Sequence, residues 1–338
     1  MNQISPELAE DPAARLKTQI LTGVADDLTA VEAQLHRHLR PRIDLVSRVA
    51  GHILFSGGKR LRPLLMILSA RLCGFQGEQA TICATAFEYL HAATLLHDDL
   101  IDGGTLRRGK PAAHTIFGNE IAVLTGDFLL ARALAVAAAT DRIDIVRTIV
   151  DITEQMSQGE IDQLDKKGQT TLTEAAYMEI IRRKTAVLFQ GACRVGALLA
   201  GADSRDVERL SDFGRWLGMA FQMTDDLLDY TADTAGLGKT IGADLKEGKL
   251  TLPVIYALDR AAETDRNQMT AIISDRDFSR RSFKVLVDLM EKYGGITYTW
   301  RRAAENISRA KEALSGFGSG KSRDILSAIA DYALVRRQ

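Results

Sequence analysis

Two aspartate clusters with the same spacing constrain this chain more than any other feature. The first reads Asp-Asp-Leu-Ile-Asp at residues 98–102 and the second reads Asp-Asp-Leu-Leu-Asp at residues 225–229. Each follows an apolar run with helical periodicity, so its first and last Asp lie on one helix face. Three carboxylates within one turn repel one another unless a cation neutralises them, and their oxygens suit Mg²⁺. The duplication therefore predicts two facing helices whose carboxylates form an oxygen cage for a metal–diphosphate complex.

The rest of the sequence favours helices. Of 338 residues, 46% are apolar, 6% are aromatic and only 6 are proline. We find no alternating strand pattern, no further repeat and no long linker, so we predict one all-α domain, a single large helical bundle over residues 1–338. Periodicity predicts helices over about residues 13–38, 43–54, 60–73, 78–101, 119–139, 142–165, 173–200, 204–230, 250–264, 278–293, 295–314 and 321–336.

Charge and targeting signals exclude several classes of protein. With 43 basic and 44 acidic residues, the chain has no overall basic field that would hold nucleic acid. The first residues do not resemble a signal peptide, and the most apolar tract, residues 131–139, is too short to span a bilayer. The three cysteines have no metal-like or paired spacing. We therefore expect a soluble cytoplasmic protein without a transmembrane segment.

A polar stripe runs along the helix that carries the first cluster. Phe87, His91, Thr94, Asp98 and Asp102 are spaced 4, 3, 4 and 4 residues apart, so all five share one face. Polar side chains in an otherwise apolar helix are unfavourable if they are buried without partners. The helix of the second cluster carries a similar face, with a glutamine before its aspartates. Polar groups from two helices are therefore expected to converge on one interior site.

Basic residues complement the acidic clusters. Lys59 and Arg62 lie one turn apart at a helix start that follows two glycines, where they can grip a diphosphate from one face. The stretches 103–111 and 231–252, which follow the two clusters, mix glycines with lysine or arginine, as phosphate-covering loops do. Lone lysines such as Lys184 and Lys239 are uninformative by themselves.

Parts of the sequence are also compatible with two other kinds of metal site. Glu88 and His91 form a Glu-x-x-His pair, typical of di-iron bundles, but the sequence has no second pair. The dipeptide His97-Asp98 could belong to an HD-type phosphohydrolase, but its remaining histidine ligands are not evident. Both alternatives leave the second aspartate cluster without a role.

From about residue 30 onwards, the chain resembles the trans-isoprenyl diphosphate synthases, or polyprenyl synthetases, most of all those that make octaprenyl and decaprenyl chains. The resemblance is carried by GGKRLRP at 57–63, LHAATLLHDDLIDGGTLRRGKPA at 90–112, RKTA at 183–186, FQMTDDLLDY at 221–230 and GLGKTIGADLKEGKLTLP at 236–253. It implies an isoprenoid synthase fold around a deep central cavity, a homodimer, and three Mg²⁺ ions per active site. The expected substrates are isopentenyl diphosphate and an allylic diphosphate such as farnesyl or geranylgeranyl diphosphate.

The same resemblance implies roles for individual residues. Metal binding is expected at Asp98, Asp102 and Asp225, with support from Asp99, Asp226 and Asp229. The allylic diphosphate is expected to contact Arg107, Lys184, Thr185, Gln222, Lys239 and Lys249. The diphosphate of isopentenyl diphosphate is expected to contact Lys59, Arg62, His91 and Arg108. Lys184, Thr185 and Gln222 are expected to act in the chemistry itself, the last two through oxygens near the developing carbocation.

Product length is expected to depend on the side chains below the first cluster. In the family that the chain resembles, aromatic residues four and five positions before the first Asp stop growth early; here those positions hold Thr94 and Ala93. Leu90 and then Phe87 follow along the helix, Phe87 about 16 Å from Asp98 at 1.5 Å per residue. We therefore expect a long product, octaprenyl to decaprenyl, of the kind used in ubiquinone biosynthesis, and expect Ala93→Phe to shorten it. The alternatives are a geranylgeranyl or farnesyl diphosphate synthase, a terpene cyclase and a non-catalytic subunit.

Overall fold

The computed structural model describes residues 11–231, 242–275 and 277–336, and its regular structure is almost entirely helical. In chain order the α-helices are α1 Pro12–Gly23, α2 Ala25–Leu39, α3 Asp44–Leu54, α4 Leu61–Leu72, α5 Glu78–Ile101, α6 Ala113–Phe117, α7 Asn119–Ala138, α8 Ile143–Asp165, α9 Glu174–Ile181, α10 Val187–Leu199, α11 Ser204–Thr231, α12 Ala243–Lys246, α13 Leu252–Arg260, α14 Glu263–Ser274, α15 Arg280–Lys292, α16 Gly295–Leu314 and α17 Lys321–Val335. A π-helical segment, Arg182–Ala186, joins α9 to α10. A short hairpin pairs β1 Leu106–Arg107 with β2 Lys110–Pro111. The all-α prediction is confirmed.

The long helix α5 lies at the centre of the bundle. It is buried on most of its surface and packs against α4, α7 and α10, while α11 packs against α10 and α16. A helix that is apolar around most of its circumference belongs in a core. One hydrophobic cluster of buried residues extends from Ile20 in α1 to Ala333 in α17. The helices that carry the two aspartate clusters are thus held on both sides by other helices.

Both aspartate clusters lie near the C-terminal end of a helix. The chain leaves α5 through Gly103, whose φ of +67° is in the left-handed region, and the Gly104 N–H donates to the Asp99 carbonyl at 2.9 Å. The second cluster ends two residues before the end of α11. The C-terminal end of a helix carries partial negative charge, which disfavours carboxylates there. Helix position therefore adds to the mutual repulsion of the aspartates, and cations at these ends are favourable.

Glycines allow the central helices to approach one another closely. A Cβ atom on Gly196 of α10 would lie 2.3 Å from the Met66 carbonyl oxygen of α4, and one on Gly214 of α11 would lie 2.5 Å from the Phe189 carbonyl oxygen. Backbone atoms cannot move aside as a flexible side chain can. These two glycines therefore set the distance between the helices.

Gly196→Ala is expected to destabilise the protein by about 2–4 kcal/mol, because the added methyl group overpacks a backbone contact. Gly51→Ala in α3 is the matched control, since the nearest atom to its Cβ is the Phe55 Cδ2 atom at 3.7 Å. That control should be neutral or more stable by up to about 1 kcal/mol, the helix propensity gain. Urea unfolding of both variants measures the two effects, and equal midpoints would show that the α4–α10 contact does not depend on Gly196.

Helix α7 differs from the sequence prediction in one respect. By length and composition Asn119–Ala138 could cross a membrane, with a mean hydropathy of 1.8 over its most apolar window. The sequence prediction took residues 131–139 as the most apolar tract, which is too short to span a bilayer. In the structure this helix packs against α5 and α8, and 39% of that window is buried.

The three cysteines are free thiols, and two of them are buried.

Candidate active site

The ends of α5 and α11 that carry the aspartates open into one cavity of about 1130 Å³. Its wall also includes side chains of α8, the π-helical segment and the loops after α3 and α5. Most residues that the sequence singled out line this cavity: Lys59, Arg62, Leu90, His91, Thr94, Asp98, Asp99, Asp102, Arg107, Arg108, Lys184, Thr185, Gln222, Asp225 and Lys249. Lys239 lies outside the described residues.

The three aspartates of the first cluster have different surroundings. Asp98 faces the cavity and makes no side-chain hydrogen bond or ion pair with another described residue; burial raises the pKa of its carboxyl to about 6. Asp99 is buried and accepts hydrogen bonds from Arg107 at 2.7 Å on both oxygens. Asp102 pairs with Lys249 at 2.8 Å and with Lys167 at 3.3 Å. The cluster therefore contains one unpaired and two ion-paired carboxylates.

The second cluster is divided in a similar way. Asp225 lies on the cavity wall and pairs with Arg336 at 3.1 Å. Asp226 points inward, and burial raises the pKa of its carboxyl to about 7 although the Tyr177 hydroxyl and Gln222 amide donate to it. Asp229 accepts the backbone N–H groups of residues 243 and 244 at 3.1 and 3.2 Å, which fixes the start of α12. Asp226 and Asp229 thus position other groups and do not line the main cavity.

The cavity-facing carboxylates do not form a compact group of three by themselves. Within residues 11–231, 242–275 and 277–336, no three His, Cys, Asp or Glu side chains converge closely enough to hold a metal ion. The reason is visible in the ion pairs, since cations of the chain itself occupy Asp99, Asp102 and Asp225. Asp98, Asp102 and Asp225 nevertheless face the cavity with carboxylate oxygens, the ligand type that hard cations such as Mg²⁺ prefer. The donor chemistry fits Mg²⁺.

The π-helical segment turns two predicted residues towards the cavity. It is packed between glycines, because a Cβ atom on Gly159 would lie 2.8 Å from the Lys184 nitrogen and one on Gly218 would lie 2.6 Å from the Ala186 Cα atom. Single π turns inside α-helices are frequent at functional sites. Lys184 donates to Gln163 at 2.7 Å and pairs with Glu160.

A chain of hydrogen bonds fixes the neighbouring polar groups. The Thr185 hydroxyl donates to the Gln222 carbonyl oxygen at 2.8 Å, and the Gln222 amide donates to Asp226 at 2.8 Å. Asp226 in turn accepts from the Tyr177 hydroxyl. These hydrogen bonds place the carbonyl oxygen of the Gln222 amide beside Thr185 and its nitrogen beside Asp226.

A second, basic part of the cavity surrounds His91. Burial lowers the pKa of Arg62 to about 10, and its Nε–H group has no hydrogen-bond partner among the described residues. The pKa of His91 is well below its usual value because of burial and the nearby Arg62, Arg107 and Arg108, so the ring is neutral at pH 7. An anion bound here would satisfy the unpaired Arg62 donor and relieve the repulsion among the arginines.

The hairpin after α5 positions two of these arginines. Arg108 and Gly109 form its two-residue turn with φ of +51° and +75°, as a type I′ turn requires. Arg107 turns back to Asp99, while Arg108 donates to the Gly57 carbonyl oxygen. The sequence pattern showed no strand here because each strand has only two residues.

Glu88, the carboxylate of the Glu-x-x-His pair, contacts the protein scaffold. It is buried and pairs with Arg60 at 2.6 Å, and Arg60 also pairs with Glu32 at 2.7 Å. These contacts hold the loop that carries Lys59 and the start of α4, where Arg62 lies. Glu88 therefore stabilises the protein scaffold.

Two of the four predicted chain-length residues lie on the cavity wall. Leu90 and Thr94 line it together with Leu130, Met156 and Leu188. Ala93 and Phe87 are fully buried and are not on the wall. Side chains of adjacent helix positions point about 100° apart, so Ala93 faces away when Thr94 faces the cavity.

Sequence reasoning missed four polar residues around the cavity. Glu160 and Gln163 hold Lys184, Lys167 pairs with Asp102, and Arg336 pairs with Asp225. Arg336 also stacks on Phe221, with its guanidinium carbon 3.9 Å from the ring centroid. Their contacts depend on tertiary proximity, so no local pattern could have identified them.

Comparisons with known proteins agree with this site. Residues 43–290 match the polyprenyl synthetase family. The octaprenyl diphosphate synthase of Escherichia coli is 35% identical over 312 residues, which cover 92% of this chain and 96% of that protein. A short chain isoprenyl diphosphate synthase of Methanothermobacter thermautotrophicus is 34% identical over 293 residues, covering 86% and 90%.

Among solved structures, a polyprenyl synthase of Caulobacter crescentus complexed with calcium and isoprenyl diphosphate superposes with a TM-score of 0.89. It has 37% sequence identity to this chain and covers 95% of it and 98% of its own length. The sequence motifs all lie within residues 43–290, which match the family, and the structural superposition covers the same helices. This chain belongs to the polyprenyl synthetase family.

Proposed function

We propose that this chain is a trans-prenyltransferase that condenses isopentenyl diphosphate with an allylic diphosphate, head to tail, into a long all-trans polyprenyl diphosphate of octaprenyl to decaprenyl length. One observation carries the proposal: a single cavity joins the acidic clusters, the basic pocket around His91 and an apolar wall that begins at Thr94 and Leu90. Diphosphates need the first two, and a growing hydrocarbon chain needs the third.

The acidic half of the cavity would bind the allylic diphosphate. Mg²⁺ held by Asp98, Asp102 and Asp225 supplies charge neutralisation that makes the diphosphate a better leaving group. Asp99 keeps Arg107 in place beside it, and Glu160 with Gln163 does the same for Lys184. Lys249, and Lys239 by its place in the motif, would add cations. The number of metal ions that we propose, three, follows the family pattern.

The basic half would bind isopentenyl diphosphate. Lys59, Arg62, His91 and Arg108 surround this part of the cavity or lie at its edge. His91 is neutral before substrate arrives, and the negative charge of a diphosphate would raise its pKa and favour the imidazolium.

Carbon–carbon bond formation would occur between the two diphosphates. Departure of the allylic diphosphate leaves a carbocation, which the double bond of isopentenyl diphosphate attacks before a proton is lost to the departed diphosphate. The oxygens of Thr185 and Gln222, fixed by their hydrogen bonds, present partial negative charge to the cation. The apolar wall excludes water that would quench it.

The product length that we propose rests on the relatives and on the cavity wall. The E. coli relative is named an octaprenyl synthase, but a relative of nearly equal identity is named a short chain synthase. The absence of an aromatic side chain at Thr94 and Leu90 favours the long product. A geranylgeranyl or farnesyl diphosphate synthase is the alternative within the same chemistry.

The purified full-length chain tests the reaction class. Farnesyl diphosphate, labelled isopentenyl diphosphate and Mg²⁺ should give labelled prenyl diphosphate, with none when Mg²⁺ is chelated. A terpene cyclase would consume farnesyl diphosphate without isopentenyl diphosphate and release a hydrocarbon. A non-catalytic subunit would give no product alone, which would overturn the proposal.

We further propose that the chain works as a homodimer in the cytoplasm. Exposed apolar residues share one face of α8 at Ile143, Val150 and Ile161, and Leu124 of the neighbouring α7 is also exposed. Asp127, in the same exposed face of α7, would be unfavourable in lipid but is tolerated at the rim of a protein interface. Sedimentation of the purified chain should give the mass of two chains, and a monomer mass at micromolar concentration would contradict the dimer.

A further inference from the structure

Lys167 makes a contact that neither the motifs nor the proposed chemistry assigns. Its Nζ atom lies 3.3 Å from Asp102 Oδ1, and the Lys249 Nζ atom lies 2.8 Å from Asp102 Oδ2. The two lysines come from different loops, one after α8 and one after α12. Each oxygen of this carboxylate is therefore paired with its own ammonium group, an arrangement that we call the two-lysine clamp.

The clamp is built into the backbone and is not a chance surface pair. The Gly168 N–H donates to the Gly248 carbonyl oxygen at 2.8 Å, which ties the two lysine-bearing loops together. Gly248 has a φ of +79°, and a Cβ atom there would lie 3.1 Å from the Lys167 Cγ atom. The Asp102 side chain is only 12% exposed and that of Lys167 is 22% exposed. The preceding residue, Lys166, turns to Asp162 instead.

The two-lysine clamp places positive charge where a metal ion without diphosphate would approach Asp102. Among the described residues Asp98 has no ion-pair partner, whereas a cation that approaches either oxygen of Asp102 meets an ammonium group and must displace it. Displaced alone, the Lys167 ammonium group loses its Asp102 partner inside a partly buried site, whereas Lys249 keeps its contact with Glu247 at 2.6 Å. If a diphosphate arrives with the metal, its oxygens become new partners for the same two ammonium groups. Metal binding at Asp102 then becomes favourable only in the presence of the anion.

We propose that Lys167 is a positioning residue that makes metal binding depend on diphosphate binding, by holding Asp102 with Lys249 until both arrive. The inference rests on the proposed function, in which Asp102 ligates Mg²⁺. It assigns the coupling between metal and diphosphate to a residue outside the family motifs.

The test compares Lys167→Gln with Lys166→Gln, which removes the same charge one position away but leaves Asp102 paired. Mn²⁺ binding to the full-length chain is titrated by electron paramagnetic resonance, first alone and then with an inert thiolo analogue of farnesyl diphosphate. Lys167→Gln should bind Mn²⁺ alone about 5-fold more tightly, the effect of one partly buried ion pair, and the enhancement by the analogue should fall by a similar factor. Lys166→Gln should match the wild type, and Lys167→Arg should restore the coupling.

Two outcomes separate this inference from the proposed function. If the analogue strengthens Mn²⁺ binding equally in the wild type and Lys167→Gln, the role of Lys167 is overturned while the metal–diphosphate site stands. If the analogue does not strengthen Mn²⁺ binding in the wild type, the proposed function and this inference are both overturned. An equal change in Lys166→Gln would reduce the effect to general surface charge and would also overturn the role of Lys167.

Discussion

Replacing Asp98 with asparagine is expected to abolish prenyl transfer and, at the same time, to stabilise the metal-free protein. Asp98 is the cavity-facing carboxylate of its cluster without a partner among the described residues, and it lies at the negative end of α5. Loss of a metal ligand should reduce the rate roughly 10³-fold. Removal of the buried negative charge should raise the free energy of unfolding by about 1–3 kcal/mol at pH 7, since the pKa shift from 3.8 to about 6 corresponds to that range.

The pH dependence of this effect has a definite sign. Burial raises the pKa of Asp98 in the folded chain to about 6, above its value in the unfolded chain, so the folded state binds the proton more tightly. The proton on Asp98 therefore stabilises the folded state. This stabilisation is fully present below pH 4 and is lost as the pH rises through about 6. The stability difference between Asp98→Asn and the wild type should therefore be largest at pH 7 and shrink towards pH 4. Urea unfolding without metal at several pH values measures it.

Asp99→Asn is the matched control for Asp98→Asn. It removes the same charge one position away, but Asp99 is paired with Arg107 at 2.7 Å, so its loss leaves a half-buried guanidinium without its partner. This variant should be less stable than the wild type. If both variants shift stability in the same direction, the assignment of Asp98 as the unpaired carboxylate is wrong.

Thr94→Phe is expected to shorten the product to farnesyl or geranylgeranyl length. Thr94 faces the cavity one turn, about 6 Å, from Asp98, so a phenyl ring there would close the apolar wall just below the reacting diphosphate. The first condensation needs little of that space and should continue. Chromatographic sizing of the labelled products measures the effect.

Thr94→Val controls for the loss of the hydroxyl group. It keeps the side-chain volume, so products should retain the wild-type length. The Thr94 hydroxyl donates to the His91 carbonyl oxygen at 2.9 Å within α5, so its loss should have little effect on cavity shape. If Thr94→Phe makes products of unchanged length, the chain does not grow past Thr94.

Local sequence signals were sufficient for the helices that carry the site. The prediction for α5, residues 78–101, coincides with the structure because glycines lie at both ends, Gly77 before it and Gly103 after it. Other helix breaks were missed. Residues 13–38 form two helices that meet at Val24, and the helix expected over residues 250–264 ends at Arg260, with α14 starting at Glu263. Tertiary packing sets these breaks.

The composition of the site was predictable, but its internal pairing was not. The two clusters and the basic residues were identified by spacing, and most of them line one cavity. The resemblance separated three metal-binding aspartates from three supporting ones but named no partner for any of them, whereas the structure pairs Asp99 with Arg107, Asp102 with two lysines and Asp225 with Arg336. Arg336 lies 111 positions from Asp225, beyond the reach of any local pattern. Which carboxylate stays unpaired depends on these long-range contacts.

The most direct test of the account is the size of the product made by the purified wild-type chain. Farnesyl diphosphate is extended with labelled isopentenyl diphosphate in the presence of Mg²⁺, and the dephosphorylated products are sized against prenyl alcohol standards. We predict all-trans products that end at octaprenyl to decaprenyl length. Products that end at farnesyl or geranylgeranyl length would contradict the long-chain account, and no Mg²⁺-dependent extension would contradict prenyl transfer itself.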